Sequence, residues 1–226
     1  MTLLLAVDTA TPRCSVALGD EAGLRASFSV DRDRRHVEAL APAVADACRA
    51  AGVGLGDLEA LAVDVGPGLF TGMRVGIATV QGLALALGLT VHPVCSLDVL
   101  AHPVRHTSRT VAAVVDARRG EVFRSLHRDG VVLAGPACIT PEALVGELAG
   151  LGPCLAVGDG GVRYRGLLEA AGETRVVAGL PSAEAALELA LAACAAGADG
   201  LAAAEVRACY LRTPAARANF SALVSG

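Results

Sequence analysis

The chain has 226 residues, a formal net charge of −4 and 54% hydrophobic residues, yet only 3% aromatics, no tryptophan and no lysine. That length allows one large or two small domains around a core of Ala, Val and Leu, and the absence of lysine excludes both the lysine of a P-loop and a Schiff-base lysine. The acidic balance argues against a protein that grips nucleic acid by itself.

In chain order, the apolar run from Leu3 ends in Asp8 and reads as a strand. Its five apolar residues are too few for a signal peptide or a membrane span, so a cytoplasmic protein without a membrane partner is expected. A turn through Thr9, Ala10, Thr11 and Pro12 leads to strands from Cys14 to Leu18 and Leu24 to Val30, an antiparallel meander. A helix follows from about His36 to Ala51, stopped by Gly52, with Pro42 inside it as an expected kink costing about 3 kcal/mol if uncompensated.

Ala60 to Val65 is the next buried strand, and Gly66-Pro67-Gly68 forces a tight turn after it. Thr71 is placed to cap the helix beyond, whose first amides point back at the glycines, an arrangement that holds a phosphate or satisfies itself. Met73, Ile77, Val80, Ala84 and Leu87 share one stripe of that helix, while Ala78, Gly82 and Ala86 form a small-residue face. A helix apolar nearly all round must be covered on more than one side, by its own core or by another subunit. Thr90 to Val94 is a strand, and Ser96 is placed to cap a helix that Pro103 disrupts.

From residue 111 the opening repeats: Val111 to Asp116 is again an apolar run closed by Asp, followed by strands Glu121 to Leu126 and Val131 to Leu133. Helices and strands then alternate as Pro141 to Leu148, Leu155 to Gly158, Gly161 to Ala171, Arg175 to Val177 and Ser182 to Ala196. The expectation is an internal duplication into two α/β lobes, residues 1–105 and 106–226. In such folds the Asp-bearing hairpins face each other across a cleft. Asp8, Thr9 and Thr11 with Asp116 are therefore the candidate phosphate or magnesium contacts, and together with Gly66, Gly68 and Thr71 of the glycine turn they are read as a vestigial phosphate loop. The plainer alternative is that each Asp bonds its own turn.

Seven scattered cysteines without a C-x-x-C pair read as thiols in a reducing compartment. His102 and His106 have metal-ligand spacing, but Pro103 breaks the helix that would align them, so no metal site is assigned. Neither a Ser-His-Asp nor a Cys-His order is visible.

Three ordered motifs carry a family resemblance: Leu5-Ala6-Val7-Asp8-Thr9-Ala10-Thr11, the stretch Gly66-Pro67-Gly68-Leu69-Phe70-Thr71-Gly72-Met73-Arg74-Val75-Gly76, and Asp116-Ala117-Arg118-Arg119-Gly120-Glu121-Val122-Phe123. They resemble the TsaB (YeaZ) family, whose usual forms are I-D-T-S, G-P-G-S-F-T-G-L-R-I-G-x-A-x-A-K-G-L-A and D-A-R-R-G-E-V-Y, with H-S-E-x-L-L-P where this chain has His36 to Pro42. Leu69, Gln81, Ala10 and Val37 depart from the usual Ser, Lys, Ser and Ser. The resemblance runs from residue 3 to about residue 125.

It implies two ribonuclease-H-like lobes of the actin-like ATPase superfold. It also implies a non-catalytic subunit that binds and activates TsaD, the enzyme that transfers threonylcarbamoyl to the adenosine next to certain tRNA anticodons. TsaD carries the metal and nucleotide, so no cofactor is assigned here. TsaE completes the assembly, tRNA is met only indirectly, and a homodimer is expected when the chain is alone. In the family the two front helices contact TsaD, which makes His36, Leu40, Val44, Met73, Ile77, Val80 and Ala84 the interface candidates. The competing reading is an ATP-dependent kinase or carbamoyl-transferring enzyme acting alone through Asp8 and Asp116.

Overall fold

A computed structural model describes residues 2–31, 36–170 and 172–212. The first lobe opens with β1 (Leu4–Asp8), β2 (Arg13–Asp20) and β3 (Gly23–Asp31), then α1 (His36–Ala51), β4 (Ala60–Asp64), α2 (Phe70–Leu87) and β5 (Val91–Val94). They form a five-stranded sheet in the order β3-β2-β1-β4-β5. β2 pairs antiparallel with β1 and β3, whereas β4 pairs parallel with β1 and β5. Every residue of β1 and β4 is buried, which is why both read as unbroken apolar runs rather than alternating ones. β3, at the edge, alternates between exposed and half-buried positions.

One sheet face, carrying Leu5, Val7, Val16, Leu61 and Val63, packs on α1 and α2. α1 runs on unbroken through Pro42, which is exposed. α2 begins one residue before Thr71, with Leu69 as its N-cap and no side-chain cap bond, so Thr71 is an exposed first-turn residue and not the expected cap. By length and composition α2 could cross a bilayer, but its inner stripe of Met73, Ile77, Val80 and Ala84 lies in the lobe's core.

After α3 (Ser96–Ala101) and a short 3-10 turn at His102–Val104, the second lobe consists of β6 (Thr110–Arg118), β7 (Glu121–Arg128), β8 (Val131–Ile139), α4 (Pro141–Leu148), β9 (Cys154–Val157), α5 (Asp159–Arg163), α6 (Arg165–Ala170) and β10 (Thr174–Val177). Its sheet order, β10-β9-β6-β7-β8, is that of the first lobe with β6, β7 and β8 in the places of β1, β2 and β3. The duplicated topology is therefore present. The helix expected over Gly161 to Ala171 is instead two short ones divided at Tyr164. α3 starts at Ser96 with Cys95 as N-cap, so Ser96 does not cap it either.

The division at residue 105 needs one correction. α7 (Ala183–Ala195) returns to the first lobe, where Ala183, Ala186, Leu187 and Ala190 cover Leu4, Ala6, Ala17 and Ala62 on the sheet face opposite α1 and α2. The segment beyond it also belongs there: Leu201 bridges Val91, the Gln81 amide donates to the Ala203 and Val206 carbonyls, and Cys209 N donates to Val65 O. All seven cysteines are free thiols, with Cys14, Cys48 and Cys154 buried.

Candidate functional site

Two turns at the carboxyl ends of β1 and β4 carry the first-lobe motif. Asp8 Oδ1 accepts from Ala10 N at 2.9 Å, and Asp64 Oδ1 accepts from Gly66 N at 2.7 Å and from Ser96 Oγ at 2.6 Å. Each Asp thus folds its own turn, and Ser96 serves Asp64 rather than its own helix. α2 lies directly on the first of these turns: Leu69 N donates to Ala10 O at 2.6 Å and Thr9 Oγ1 donates to Gly72 O at 2.8 Å.

The glycines make that approach possible. A Cβ at Gly68 would stand 2.2 Å from Ala10 O, one at Gly72 2.1 Å from Thr9 O, and one at Gly76 2.4 Å from Thr9 Oγ1. His36 closes the same turn by donating from Nε2 to Thr11 O at 2.9 Å. The glycine-rich stretch therefore seats a helix on a hairpin turn.

Across the cleft, Asp116 is also engaged. Its Oδ1 accepts from Arg118 N at 2.9 Å, and its Oδ2 faces Arg118 Nη1 at 3.0 Å and Arg163 Nη1 at 3.3 Å. Thr11 and Asp116 do line one space together with Ala10, Pro12, Leu69, Val115, Arg118 and Asp159, but its volume is about 10 Å³. That is room for about one water, not for a nucleotide. Of the seven phosphate-loop candidates, the fold brings Thr11 and Asp116 together, uses Asp8, Thr9, Gly66 and Gly68 to build turns and seat α2, and leaves Thr71 exposed. They do not fit a phosphate group. Asp64, which pairs with Asp8 at the end of the neighbouring strand, was not singled out from the sequence, although Leu61-Ala62-Val63-Asp64 repeats Leu5-Ala6-Val7-Asp8 letter for letter.

The interface candidates need a sharper correction. His36, Leu40, Val44, Met73, Ile77, Val80 and Ala84 are all buried in the chain's own first lobe, none more than 7% exposed. The stripe richest in apolar residues is the inner one, because it faces the sheet. The same two helices, which touch each other, carry a second apolar face turned to solvent. On α1 it consists of Val37, 74% exposed, with Ala41, Pro42 and Ala45; on α2 it is Ala78, Gly82, Leu85 and Ala86, with Leu85 74% exposed. At the start of α2, half-exposed Phe70 stacks under Arg74 at 3.9 Å and beside Tyr210, whose hydroxyl Arg74 also reaches. Small residues set between a few large exposed ones make a surface that another backbone can approach closely.

A Ser-His-Asp trio absent from the linear order does assemble between α3 and β7, but its geometry is not catalytic. Ser125 Oγ lies 2.6 Å from His127 Nε2, and Asp98 Oδ1 lies 3.8 Å from that same nitrogen, so no relay through the ring exists. Ser125 is fully buried, and burial holds the His127 pKa below its usual range. His102 pairs with Glu188 at 2.8 Å, and among the described residues no group of three or more His, Cys, Asp or Glu stands ready to hold a metal.

Residues 30–156 match the family described as TsaD: tRNA N6-adenosine threonylcarbamoyltransferase. An uncharacterised protein of Mycobacterium leprae is 43% identical over 146 residues, 62% of this chain and 40% of that protein. The tRNA threonylcarbamoyladenosine biosynthesis protein TsaB of Escherichia coli is 41% identical over 122 residues, 53% of this chain and 52% of its own. The matched region thus spans about half the length of these relatives. Among solved structures, YeaZ from Pseudomonas aeruginosa superposes with a TM-score of 0.81 at 34% identity, covering 93% of this chain and 100% of that one. A dehydratase activator from Clostridium difficile, at 10% identity and a TM-score of 0.54 over 85% of this chain and 94% of its own, shares the actin-like ATPase fold alone. With motif, topology and a whole-length structural match at 34% identity in agreement, the chain belongs to the TsaB (YeaZ) family.

Proposed function

We propose that this chain is a non-catalytic subunit that binds TsaD and activates it for threonylcarbamoyl transfer to the adenosine next to the anticodon of tRNA. It acts in the cytoplasm, TsaE joins the larger assembly, and tRNA is engaged through the complex rather than by this chain alone. Without TsaD the chain pairs with a second copy through the same surface. The names of its relatives in Escherichia coli, Haemophilus influenzae and Bacillus subtilis support the pathway.

The observation that carries the reading is the solvent-facing surface of α1 and α2. Fully burying a side chain such as Val37 or Leu85 contributes about 1.5–3 kcal/mol, a gain that neither realises at 74% exposure on an isolated subunit. The test is co-elution of the chain with TsaD from the same organism on gel filtration, followed by tRNA modification assayed with and without it. A shared peak and modification that depends on this chain are expected. Separate elution, with TsaD equally active alone, would overturn the proposal.

The competing reading, an enzyme working alone on ATP through Asp8 and Asp116, requires a nucleotide at the two hairpin turns, where the space that Thr11 and Asp116 line together is about 10 Å³. Calorimetric titration of the isolated chain with ATP and magnesium is therefore expected to give no saturable heat. Tight binding with turnover would reinstate that enzyme.

A further inference from the structure

β1 and β4 are parallel neighbours with Val7 opposite Val63, so Asp8 and Asp64 stand side by side at the strand ends. Both are fully buried. Each uses Oδ1 for its own turn, and the remaining oxygens, Asp8 Oδ2 and Asp64 Oδ2, have no partner in the described structure. Among the described residues no cation bonds to either carboxyl. Arg13 on β2 acts on Asp8 only at a distance, since its guanidinium is bonded to Asp31. The other charged groups bearing on the pair, Glu184 of α7 and Asp98 of α3, are acidic. The thiols of Cys14, Cys95 and Cys209 lie close enough to feel the two acids, and burial raises the pKa of all three, to about 11 for Cys14 and about 12 for Cys95. Two adjacent buried anions without a counter-ion are not a sustainable arrangement.

We propose that Asp8 and Asp64 share one proton in the native chain, the Asp64 carboxyl donating to Asp8 Oδ2, and that this bond is a pH-sensitive joint between the two turns that position α2. A single proton satisfies both orphaned oxygens at once. A second proton is unnecessary and none at all leaves two facing anions.

The titration follows from burial first. Burial, and then the charge of Asp8, push Asp64 well above the carboxylate range; burial lifts Asp8 to about 6 against the pull of the Ala10 amide. Groups whose folded pKa is raised contribute stability that is complete below the unfolded value, near 3.8, and is lost as pH rises through the folded values. From about pH 6 until Asp64 ionises, the folded chain holds one more proton than the unfolded chain at this pair, and the folded-to-unfolded ratio falls about tenfold per pH unit.

Asp64→Asn provides the test on the isolated chain, so its outcome is independent of whether TsaD binds. The amide keeps Oδ1 as acceptor for Gly66 N and Ser96 Oγ and offers Nδ2–H permanently to Asp8. Measured by urea unfolding from pH 6 upward, the wild type is expected to lose stability relative to Asp64→Asn by about tenfold per pH unit. Asp8→Asn should behave alike, whereas the double variant turns two amide donors on each other and should be less stable than the single changes add up to. Equal pH slopes in wild type and both single variants, or an additive double variant, would overturn the joint. Should a variant fail to fold, carbon-13 titration of the aspartate side chains in the wild type decides: one buried carboxylic-acid signal persisting at pH 7 upholds the shared proton, and its absence refutes it.

Discussion

Gly72→Ala is expected to destabilise the chain by about 3 kcal/mol or more, while Gly82→Ala, ten residues along the same helix, stabilises it by about 1 kcal/mol. The difference is one of surroundings, not of helix propensity. At Gly72 the new methyl would stand 2.1 Å from the Thr9 carbonyl oxygen and 3.2 Å from the His36 ring, and Gly72 O already accepts the Thr9 hydroxyl. None of these can step aside cheaply: Thr9 is the backbone of a turn tied by the Asp8–Ala10 bond, and His36 is held by Thr11 O. At Gly82 nothing lies within 4 Å, so alanine only removes backbone freedom from the unfolded chain. Thermal unfolding should show the two variants moving in opposite directions, by about 2–4 °C for each kcal/mol in a chain of this size. A Gly72→Ala protein as stable as the wild type would mean that α2 is not seated on the Thr9–Ala10 turn.

Most of the architecture was legible because it is local or periodic. The apolar runs closed by Asp8 and Asp116 announced two central strands, and the limits of α1 and α4 agree with the reading from caps and periodicity. What escaped depends on tertiary neighbours. The repeat of Leu-Ala-Val-Asp at residues 5–8 and 61–64 was there to be seen, but that the two acids end adjacent strands follows only once β1 and β4 pair in parallel. Thr71 and Ser96 have the chemistry of caps; in the fold Ser96 instead answers the demand of buried Asp64, and Thr71 stays in solvent. The pattern of α7 is apolar on several sides, so it did not reveal which sheet the helix covers.

The inner and outer stripes of α2 separate most clearly under a single charge. Ile77→Glu puts a carboxylate at a site 7% exposed, against the packed core of the first lobe, and is expected to cost more than about 4 kcal/mol or to unfold the chain. Leu85→Glu puts the same group at a site 74% exposed and should leave the unfolding midpoint nearly unchanged, within about 0.5 kcal/mol. If the solvent-facing stripe is the docking surface, Leu85→Glu removes co-elution with TsaD and self-association together, because the added charge must be desolvated where this chain presents an apolar face. Loss of binding in Ile77→Glu carries no such meaning, since an unfolded lobe binds nothing. Co-elution that survives Leu85→Glu in a folded chain would place the partner elsewhere on the molecule, whereas its loss with the circular-dichroism spectrum and midpoint intact assigns the outer stripe to the partner and the inner stripe to the fold.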